Sequence, residues 1–354
     1  MIVNRRDWTL RRIWSNADSS IIVSCLCLFS VVFLTACSGP WASERAVVNI
    51  PVPQLAPRAL QATGYISEPA INESSGLAKS DRYPNTFWTL NDSGDRARIF
   101  AIHEDGSLIR PNDGKPYDGI TVEGASNIDW EDIAKGPDGT LLIADTGNNA
   151  NKRLDLVVYV ISEPNPLQDH EVTVTRTIPV YFPEQKAFPP ENNNFDCEAV
   201  FYFGDSLYFL AKHRADRLSA FYRLPYSSLE EGPEDPRGYP LRLTDTYNLR
   251  GIVTAADAFQ SRKVAILTYD SVWVFDQIEA IAMEGTTSMH PLFRNGYWQP
   301  VRAKQCEAIA FIDEDTLLIS NEQRDLYVLS IDEMAPIGRA SERTSINNRE
   351  LGHL

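Results

Sequence analysis

The sequence predicts an all-β protein, folded as a single β-propeller with five detectable repeats of four strands each. Two observations lead to this prediction. The chain repeats itself with a period of about 55 residues, and each repeat carries the same succession of short strands and turns. The composition agrees, since 43% hydrophobic and 23% charged residues over 354 residues are typical of a globular protein.

The repeat is visible in short segments that align without a gap. Three of them contain a glutamate at the third position: residues 129–134 (DWEDIA), 196–201 (DCEAVF) and 305–310 (QCEAIA). In a fourth segment, residues 73–78, Ser75 replaces the glutamate. The distance of 109 residues from Glu198 to Glu307 is two periods, so a fifth member is expected near residues 251–258.

One interval is longer than the period. The distance from Glu131 to Glu198 is 67 residues, and we attribute the excess to a loop insertion around residues 182–194. A sixth blade is the alternative, if that interval hides a degenerate unit. A pair of immunoglobulin-type sandwiches is a further alternative. Such a pair would not require similar segments to recur along the chain, so the propeller is preferred.

Each repeat begins with a hairpin of two strands, and a third and a fourth strand follow farther from the centre of the propeller. In the second repeat the turn is the Pro-Asp-Gly sequence at residues 137–139, and equivalent turns fall at residues 204–205 and 313–315. A third strand is predicted at residues 98–103, 156–161, 220–224, 272–275 and 326–330, and a fourth at 172–181 and 241–247. Residues 59–67 are expected to supply the strand that closes the ring, because closure removes exposed sheet edges.

The first 36 residues predict export. Four arginines precede an apolar stretch at residues 21–34, which is too short to span ~30 Å of hydrocarbon comfortably. It ends in Leu-Thr-Ala-Cys at residues 34–37, which resembles the bacterial lipobox, with Cys37 as the acylated first residue of the mature chain. A signal anchor that happens to contain a cysteine is the alternative. By resemblance to Gram-negative lipoproteins, Ser38 favours the outer membrane, with the protein on its periplasmic face or at the cell surface.

The folded domain is predicted at residues 60–335. Residues 37–59 contain four prolines and no sustained period, and they predict a tether between membrane and domain. Residues 336–354 are polar and aperiodic and predict a tail. Export permits a disulfide between Cys197 and Cys306, but both occupy the same repeat position, which favours two buried thiols.

The charge narrows the possible partners. The formal net charge is −15, so the domain repels phosphate backbones, and nucleic acid is excluded as an expected partner. The predicted partners are the lipid bilayer, through acylated Cys37, and an unidentified envelope ligand or small molecule.

The hairpins predict where the carboxylates converge. Glu131 and Asp145 lie 14 residues apart with the turn midway, so antiparallel pairing places them side by side. The same spacing relates Glu198 to Lys212 and Glu307 to Asn321. Since the first strand of each blade lines the central channel, the three glutamates should form a ring at one mouth of that channel.

This ring is the candidate site. Glu131, Asp145, Glu198 and Glu307 are the candidate ligands of a divalent cation, and oxygen ligands favour calcium. Eight further side chains are expected at the rim as ligand-binding residues: Asn91, Asp92, Asp132, Asn148, Asn149, Lys212, Asn321 and Glu322.

Two other interpretations of the ring stay open. In the first, it is structural: Glu198 pairs with Lys212, Glu131 with Arg153, and Glu307 binds backbone N–H groups. In the second, the carboxylates perform acid–base chemistry directly. The predicted mature chain contains no nucleophile elbow, zinc-protease motif, phosphate loop or Cys-x-x-Cys pair.

The segments at residues 73–77, 88–94, 129–134 and 145–149 together resemble a family of uncharacterised bacterial secreted propellers. More distantly, the first-strand glutamates and second-strand aspartates resemble calcium-dependent β-propeller phytases and gluconolactonase-type propellers. The closer resemblance covers most of residues 65–335 and implies the fold and the export route. The distant one implies a bound metal, although the chain lacks the basic cluster that a phytate-like polyanion needs.

Two classes of function therefore follow. The protein is either a binding module that presents its acidic rim to a ligand, or a calcium-dependent hydrolase of phosphoesters, lactones or carboxylesters. The binding module is preferred, because the sequence offers no convincing nucleophile or base beside the ring.

Overall fold

The computed structural model describes residues 47–276 and 295–338. In these ranges the chain consists of β-strands and three single-turn 3-10 helices, Pro137–Gly139, Tyr226–Leu229 and Ile331–Glu333. No helix in the described ranges is long and apolar enough to cross a membrane. The predicted signal peptide, Cys37 and residues 339–354 of the predicted tail lie outside the described residues.

Five blades of four strands are present. The strands that precede the repeats are β1 (Val47–Asn49), β2 (Arg58–Ala59) and β3 (Gly64–Tyr65). Blade 1 comprises β4 (Ser74–Lys79), β5 (Phe87–Asn91), β6 (Arg98–Ile102), the short β7 (Leu108–Ile109) beside β6, and β8 (Ile120–Glu123). Blade 2 comprises β9 (Asp132–Lys135), β10 (Thr140–Asp145), β11 (Val157–Ser162) and β12 (Glu171–Tyr181).

The remaining blades continue in chain order. Blade 3 comprises β13 (Asp196–Phe203), β14 (Ser206–Lys212) and β15 (Ser219–Pro225), then β16 (Tyr239–Pro240), which pairs with β12, and β17 (Arg242–Asn248). Blade 4 comprises β18 (Val253–Phe259), β19 (Lys263–Thr268), β20 (Ser271–Phe275) and β21 (Gly296–Arg302). Blade 5 comprises β22 (Cys306–Asp313), β23 (Thr316–Asn321) and β24 (Asp325–Ser330), followed by β25 (Ala335–Pro336), which pairs with β21.

The ring closes through the N-terminal segment. Strand β3 pairs antiparallel with β24, so that Gly64 faces Leu326 and Tyr65 faces Asp325, and it completes blade 5 as the fourth strand. The inner strands β4, β9, β13, β18 and β22 contact one another in that order, and β22 contacts β4 again. The predicted propeller and its closing strand are confirmed.

The domain begins earlier in the chain than the sequence predicted. Strand β1 pairs in parallel with β17, and β2 pairs in parallel with β21. Val47, Val48 and Ile50 are buried. Part of the segment assigned to the tether therefore adds outer strands to blades 3 and 4. Pieces of two or three residues are too short to produce a recognisable period.

The core lies between neighbouring blades. Five apolar clusters each join residues of two adjacent blades. Leu77 and Phe87 pack toward blade 5, for example, whereas their neighbours Ala78 and Trp88 pack toward blade 2. Both faces of each blade are thus buried, which explains the nearly continuous apolar runs in the inner strands. Cys197 and Cys306 are buried free thiols in two of these clusters.

The long interval between the second and third repeats contains no strand between Tyr181 and Asp196. It is a loop that joins blade 2 to blade 3. The insertion is confirmed, and the described chain has no sixth blade.

Candidate functional site

A cavity of about 300 Å³ lies at the end of the channel where the inner strands begin. We call it the acidic cavity, because its lining contains six carboxylates and two cationic side chains. The lining residues are Glu73, Ser74, Ser75, Asp92, Ser93, Glu131, Asn149, Glu198, Lys212, Arg214, Tyr269, Glu307 and Glu322. All three glutamates of the predicted ring are among them.

The glutamate position of the repeat is a β-bulge. One residue is skipped in the pairing of the inner strand at Ser75, Glu198, Thr254 and Glu307. In blade 2 the equivalent Glu131 stands immediately before β9 and donates its backbone N–H to Ala144 O at 2.9 Å. A bulge re-aims a side chain and twists the strand. The same local irregularity thus occurs at the channel in at least four blades, and Thr254 is the missing fifth member of the repeat.

The two bulge residues that are not glutamates join neighbouring blades. Ser75 Oγ donates a hydrogen bond of 2.7 Å to Glu131 O, and Thr254 Oγ1 donates one of 2.9 Å to Cys306 O. These hydroxyls bind backbone of the next inner strand without adding charge to the mouth of the channel.

Glu131 belongs to two groups of carboxylates. Oxygens of Asp92, Asp129 and Glu131 lie within 4.8 Å of one another, and so do oxygens of Glu131, Asp196 and Glu198. Carboxylates at such separations repel one another unless they take up protons or share a cation. Either group could therefore hold a metal ion.

The second group is partly neutralised by side chains. Lys212 Nζ lies 2.6 Å from Glu198 Oε1, and both side chains are almost fully buried. Arg214 donates hydrogen bonds of 3.1 and 2.8 Å from Nε and an Nη atom to Asp196 Oδ2. Lys212 faces Asp196 in the strand pairing, because the bulge shifts the hairpin register that the sequence spacing assumed.

The first group has less compensation. Burial raises the pKa of Asp129, and the charge of Arg153 lowers it without forming an ion pair with this carboxyl. Within the described residues, no ion pair reaches Asp92, Asp129 or Glu131, since Arg153 pairs instead with Asp145 at 2.7 Å and with Asp155 at 3.0 Å. The expected Glu131–Arg153 pair of the structural interpretation is therefore wrong, whereas the Glu198–Lys212 pair is present.

Burial and repulsion favour protons on these carboxyls. Burial raises the pKa of Glu131 well above its usual range, and the neighbouring carboxylates of Glu198 and Asp92 raise it further. Burial, together with Asp92 and Asp196, raises the pKa of Asp129 to about 7. A cation in the cavity would take the place of these protons.

The opposite side of the cavity contains a separate polar arrangement. Burial raises the pKa of Glu307 to about 7, although Lys212 opposes the increase and the Tyr269 hydroxyl hydrogen-bonds the carboxylate. Burial and the nearby Glu307 raise the pKa of Tyr269 above its usual range. Lys212 Nζ also lies 5.8 Å from the centre of the Tyr269 ring.

Seven of the twelve predicted site residues line the acidic cavity: Asp92, Glu131, Asn149, Glu198, Lys212, Glu307 and Glu322. The other five are Asn91, Asp132, Asp145, Asn148 and Asn321, and they bind the protein itself.

Asn91 and Asn321 hold rim loops. Asn91 Oδ1 accepts backbone N–H groups of residues 72 and 73, and its amide donates to Asp95 at 2.6 Å. Asn321 makes the equivalent contact with Asp325, at 3.2 Å. Asn148 Oδ1 accepts the backbone N–H groups of residues 152 and 153. The side-chain amides of all three asparagines therefore bind nearby parts of the protein.

The two predicted aspartates outside the cavity are buried. Asp132 Oδ2 accepts the backbone N–H of Val200 at 3.0 Å and so joins blades 2 and 3. Asp145 accepts the backbone N–H of Asp129 at 3.0 Å and pairs with Arg153. As placed, Asp145 orients the loop that carries Asp129 and lies outside both groups of converging carboxylates.

The sequence reasoning missed Asp129, Asp196, Arg214 and Tyr269. A signal existed for the first two, because each aspartate stands two residues before a ring glutamate in aligned segments. Arg214 stands two residues after Lys212 and pairs with Asp196. Sequence spacing does not show that its side chain reaches back to this aspartate. Tyr269 follows the second strand of blade 4, where no glutamate marked the repeat.

Gly147 allows the rim loop to approach the carboxylates. A Cβ atom at this position would lie 2.2 Å from Glu131 Oε1 and 2.5 Å from Cγ of Asp129. No side chain fits there without moving a carboxylate of the first group. The small residue in this loop is thus required by the close packing of the site.

Comparisons with known proteins assign no family to the chain. No family model matches the chain, and no curated protein matches its sequence. Among solved structures, a gluconolactonase of Xanthomonas campestris is similar over 81% of this chain and 98% of its own, with a TM-score of 0.38 and 10% identity. The extracellular domain of a putative hybrid two-component system of B. thetaiotaomicron is similar over 82% of this chain and 40% of its own, with a TM-score of 0.39 and 9% identity. Similarity at this level bears on neither substrate nor mechanism.

The raised pKa values predict that the metal-free protein loses stability as pH rises. Glu307 and Asp129 have folded pKa values of about 7, above those of unfolded carboxyls, so the native state binds more protons than the unfolded state between about pH 4 and pH 7. In chelator, we expect the thermal midpoint to fall by at least about 4 °C from pH 5.5 to pH 8. Scanning calorimetry measures this change.

Two variants test whether the carboxyls of the acidic cavity cause this decrease in thermal midpoint. Glu307→Gln should reduce the pH-dependent decrease, because the amide carries no charge at high pH. Glu123→Gln removes an exposed carboxylate outside the cavity and should leave it unchanged. A midpoint that rises between pH 5.5 and pH 8 in chelator would contradict the assigned protonation.

Proposed function

We propose that the protein is a binding module whose acidic cavity takes up a divalent cation, calcium, and through it an oxygen-bearing ligand. The observation that carries the proposal is the position of Glu131, whose carboxylate belongs to two groups of oxygens within 4.8 Å. At an effective dielectric of ~20, each unneutralised pair at 4–6 Å costs about 3–4 kcal/mol. A bound cation converts that repulsion into coordination.

The first group is the better cation site. Lys212 and Arg214 already neutralise Glu198 and Asp196, so a cation in the second group competes with two side chains. Asp92, Asp129 and Glu131 have no such competitor in the described part of the chain. Asp92 and Asp129 are only partly buried, so solvent or a ligand can complete the coordination shell.

Calcium suits this donor set. It takes six to eight oxygen ligands in a flexible arrangement, whereas Mg²⁺ demands near-octahedral geometry and keeps most of its waters. The candidate ligands stand on loops next to the strands of two blades and offer carboxylates only. The remaining coordination positions are available to a carboxylate, phosphate or hydroxyl of the ligand.

We expect calcium to raise the thermal midpoint of the protein. A ligand that binds only the native state at one hundred times its Kd stabilises it by about 2.7 kcal/mol, which predicts an increase of at least about 5 °C between chelator and millimolar calcium. Glu131→Gln should abolish the increase, since Glu131 contributes to both groups. Glu307→Gln should reduce it less, because Glu307 is outside both groups.

Glu123→Gln is the matched control and should respond as the wild type does. An unchanged wild-type midpoint across millimolar calcium would leave the ring as a hydrogen-bonded structural plug.

A hydrolase is the second candidate function, and the pair formed by Glu307 and Tyr269 favours it. Glu307 has a pKa of about 7 and faces the same cavity as the proposed cation site, so it can exchange a proton at neutral pH. A bound cation supplies polarisation of a phosphoryl or ester oxygen and an acidified water. We expect no turnover when purified protein with calcium is screened against phosphoester, lactone and carboxylester panels. Turnover that Glu307→Gln abolishes would establish the hydrolase instead.

We further propose that the protein acts in the cell envelope, anchored to the outer membrane through acylated Cys37. The lipobox-like sequence at residues 34–37 supports this, and each buried CH₂ of an acyl chain adds ~0.8 kcal/mol to membrane affinity. Cys37→Ala should move the protein from the membrane fraction to the soluble fraction. Cys27→Ala, in the segment predicted to be removed, is the matched control and should not. Retention of Cys37→Ala in the membrane fraction would contradict the anchor.

A further inference from the structure

The inserted segment between blades 2 and 3, residues 182–195, forms the wall of a second cavity. Its volume is about 550 Å³, within the ~300–1,000 Å³ typical of small-molecule sites. The other wall is the outer part of blade 3. We call this cavity the side pocket. It shares no lining residue with the acidic cavity.

The wall is held in place at both ends. Gln185 Nε2 donates to Asn151 O at 2.8 Å, and the Phe195 backbone N–H donates to Asn151 Oδ1 at 2.7 Å. The Phe182 ring is buried and packs against Tyr222 with ring centres 4.7 Å apart. The propeller does not require this segment, since the next inter-blade connections, from Asn248 to Val253 and from Arg302 to Cys306, are much shorter. A fixed, inserted wall indicates a preformed pocket.

Half of the residues that line the side pocket are apolar or aromatic. Its lining includes aromatic and aliphatic side chains from the inserted segment, from blade 3 and from β1: Val47, Phe195, Leu218, Ala220, Tyr222 and Leu243. Apolar side chains that enclose the body of a ligand, together with polar groups that orient it, are typical of a site for an organic molecule.

The polar groups at the pocket select the charge of a ligand. His213 Nδ1 lies 3.1 Å from Asp216 Oδ1, and the carboxylates at the pocket are hydrogen-bond acceptors for a donor on the ligand. The acidic residues Glu184, Glu191 and Asp216 line the pocket with a single lysine, Lys186. An anionic ligand is therefore disfavoured. We propose that the side pocket binds a small organic molecule that carries no negative charge, with an apolar body and a hydrogen-bond donor at one end.

The experiment uses N-phenyl-1-naphthylamine, a neutral aromatic amine whose fluorescence rises in apolar surroundings. The protein carries Cys37→Ser, so that no acyl chain of its own competes for the probe. We expect saturable binding at one site, and binding at least about tenfold weaker for the anionic relative 1-anilinonaphthalene-8-sulfonate.

Two variants fill the pocket. Leu218→Trp occupies its interior, and Ala187→Trp changes an exposed position of the inserted wall, where the fold tolerates a large side chain. Each should weaken probe binding at least about tenfold. Leu167→Trp is the matched control, because Leu167 is 62% exposed and outside the pocket, and it should bind as the parent does.

Binding that both filling variants weaken and the control does not supports the proposal. Absence of saturable binding, equal weakening by Leu167→Trp, or full binding by Ala187→Trp in a folded protein would overturn it. Equal affinity for the two probes would overturn the charge selection.

Discussion

Closure of the ring forces like charges together, and the chemistry of the site depends on this constraint. A closed propeller brings the beginnings of five inner strands to one small volume, and in four of these strands a bulge redirects one side chain. Three of the five side chains at this position are glutamates, and carboxylate oxygens of Glu131 and Glu198 lie within 4.8 Å of each other. At an effective dielectric of ~20, one such unneutralised pair costs about 3–4 kcal/mol, a large part of the ~5–15 kcal/mol stability of a typical domain. The protein therefore cannot place carboxylates there without compensation.

Compensation takes three forms, and each acts at a different blade. Lys212, the last residue of β14, and Arg214, two residues later, neutralise blade 3. Ser75 and Thr254 replace the glutamate in blades 1 and 4 with hydroxyls that bind backbone. Protons remain for Glu131 and Asp129, whose pKa values burial and repulsion raise. The uneven distribution of cationic side chains matters because, among the described residues, it leaves carboxylates without an ion pair on one side of the cavity. A mouth neutralised equally at every blade would have little affinity for an ion.

The fold was largely predictable from sequence, because the repeated strand pattern shows how long each blade is and how many blades the chain contains. The five repeats, their hairpins and the closing strand near Gly64 all followed from that pattern. The site was predictable only in part. The glutamates follow from the repeat, but Lys212 was expected opposite Glu198, and the bulge places Asp196 there instead. Whether Asn91 faces a ligand or its own loop depends on hydrogen bonds a few residues away, which spacing does not encode.

The two cavities divide the chemistry of recognition between different parts of the fold. The acidic cavity is fixed by ring closure, is small, and is lined by charges that favour an ion over an organic group. The side pocket rests on an insertion that the propeller does not need, so its shape can change without disturbing the inner strands. The segment from Lys212 to Leu218 nevertheless contributes to both, since Arg214 lines the acidic cavity and His213 lines the side pocket. Neighbouring residues of one short loop thus line both cavities, so a ligand in either cavity would contact this loop.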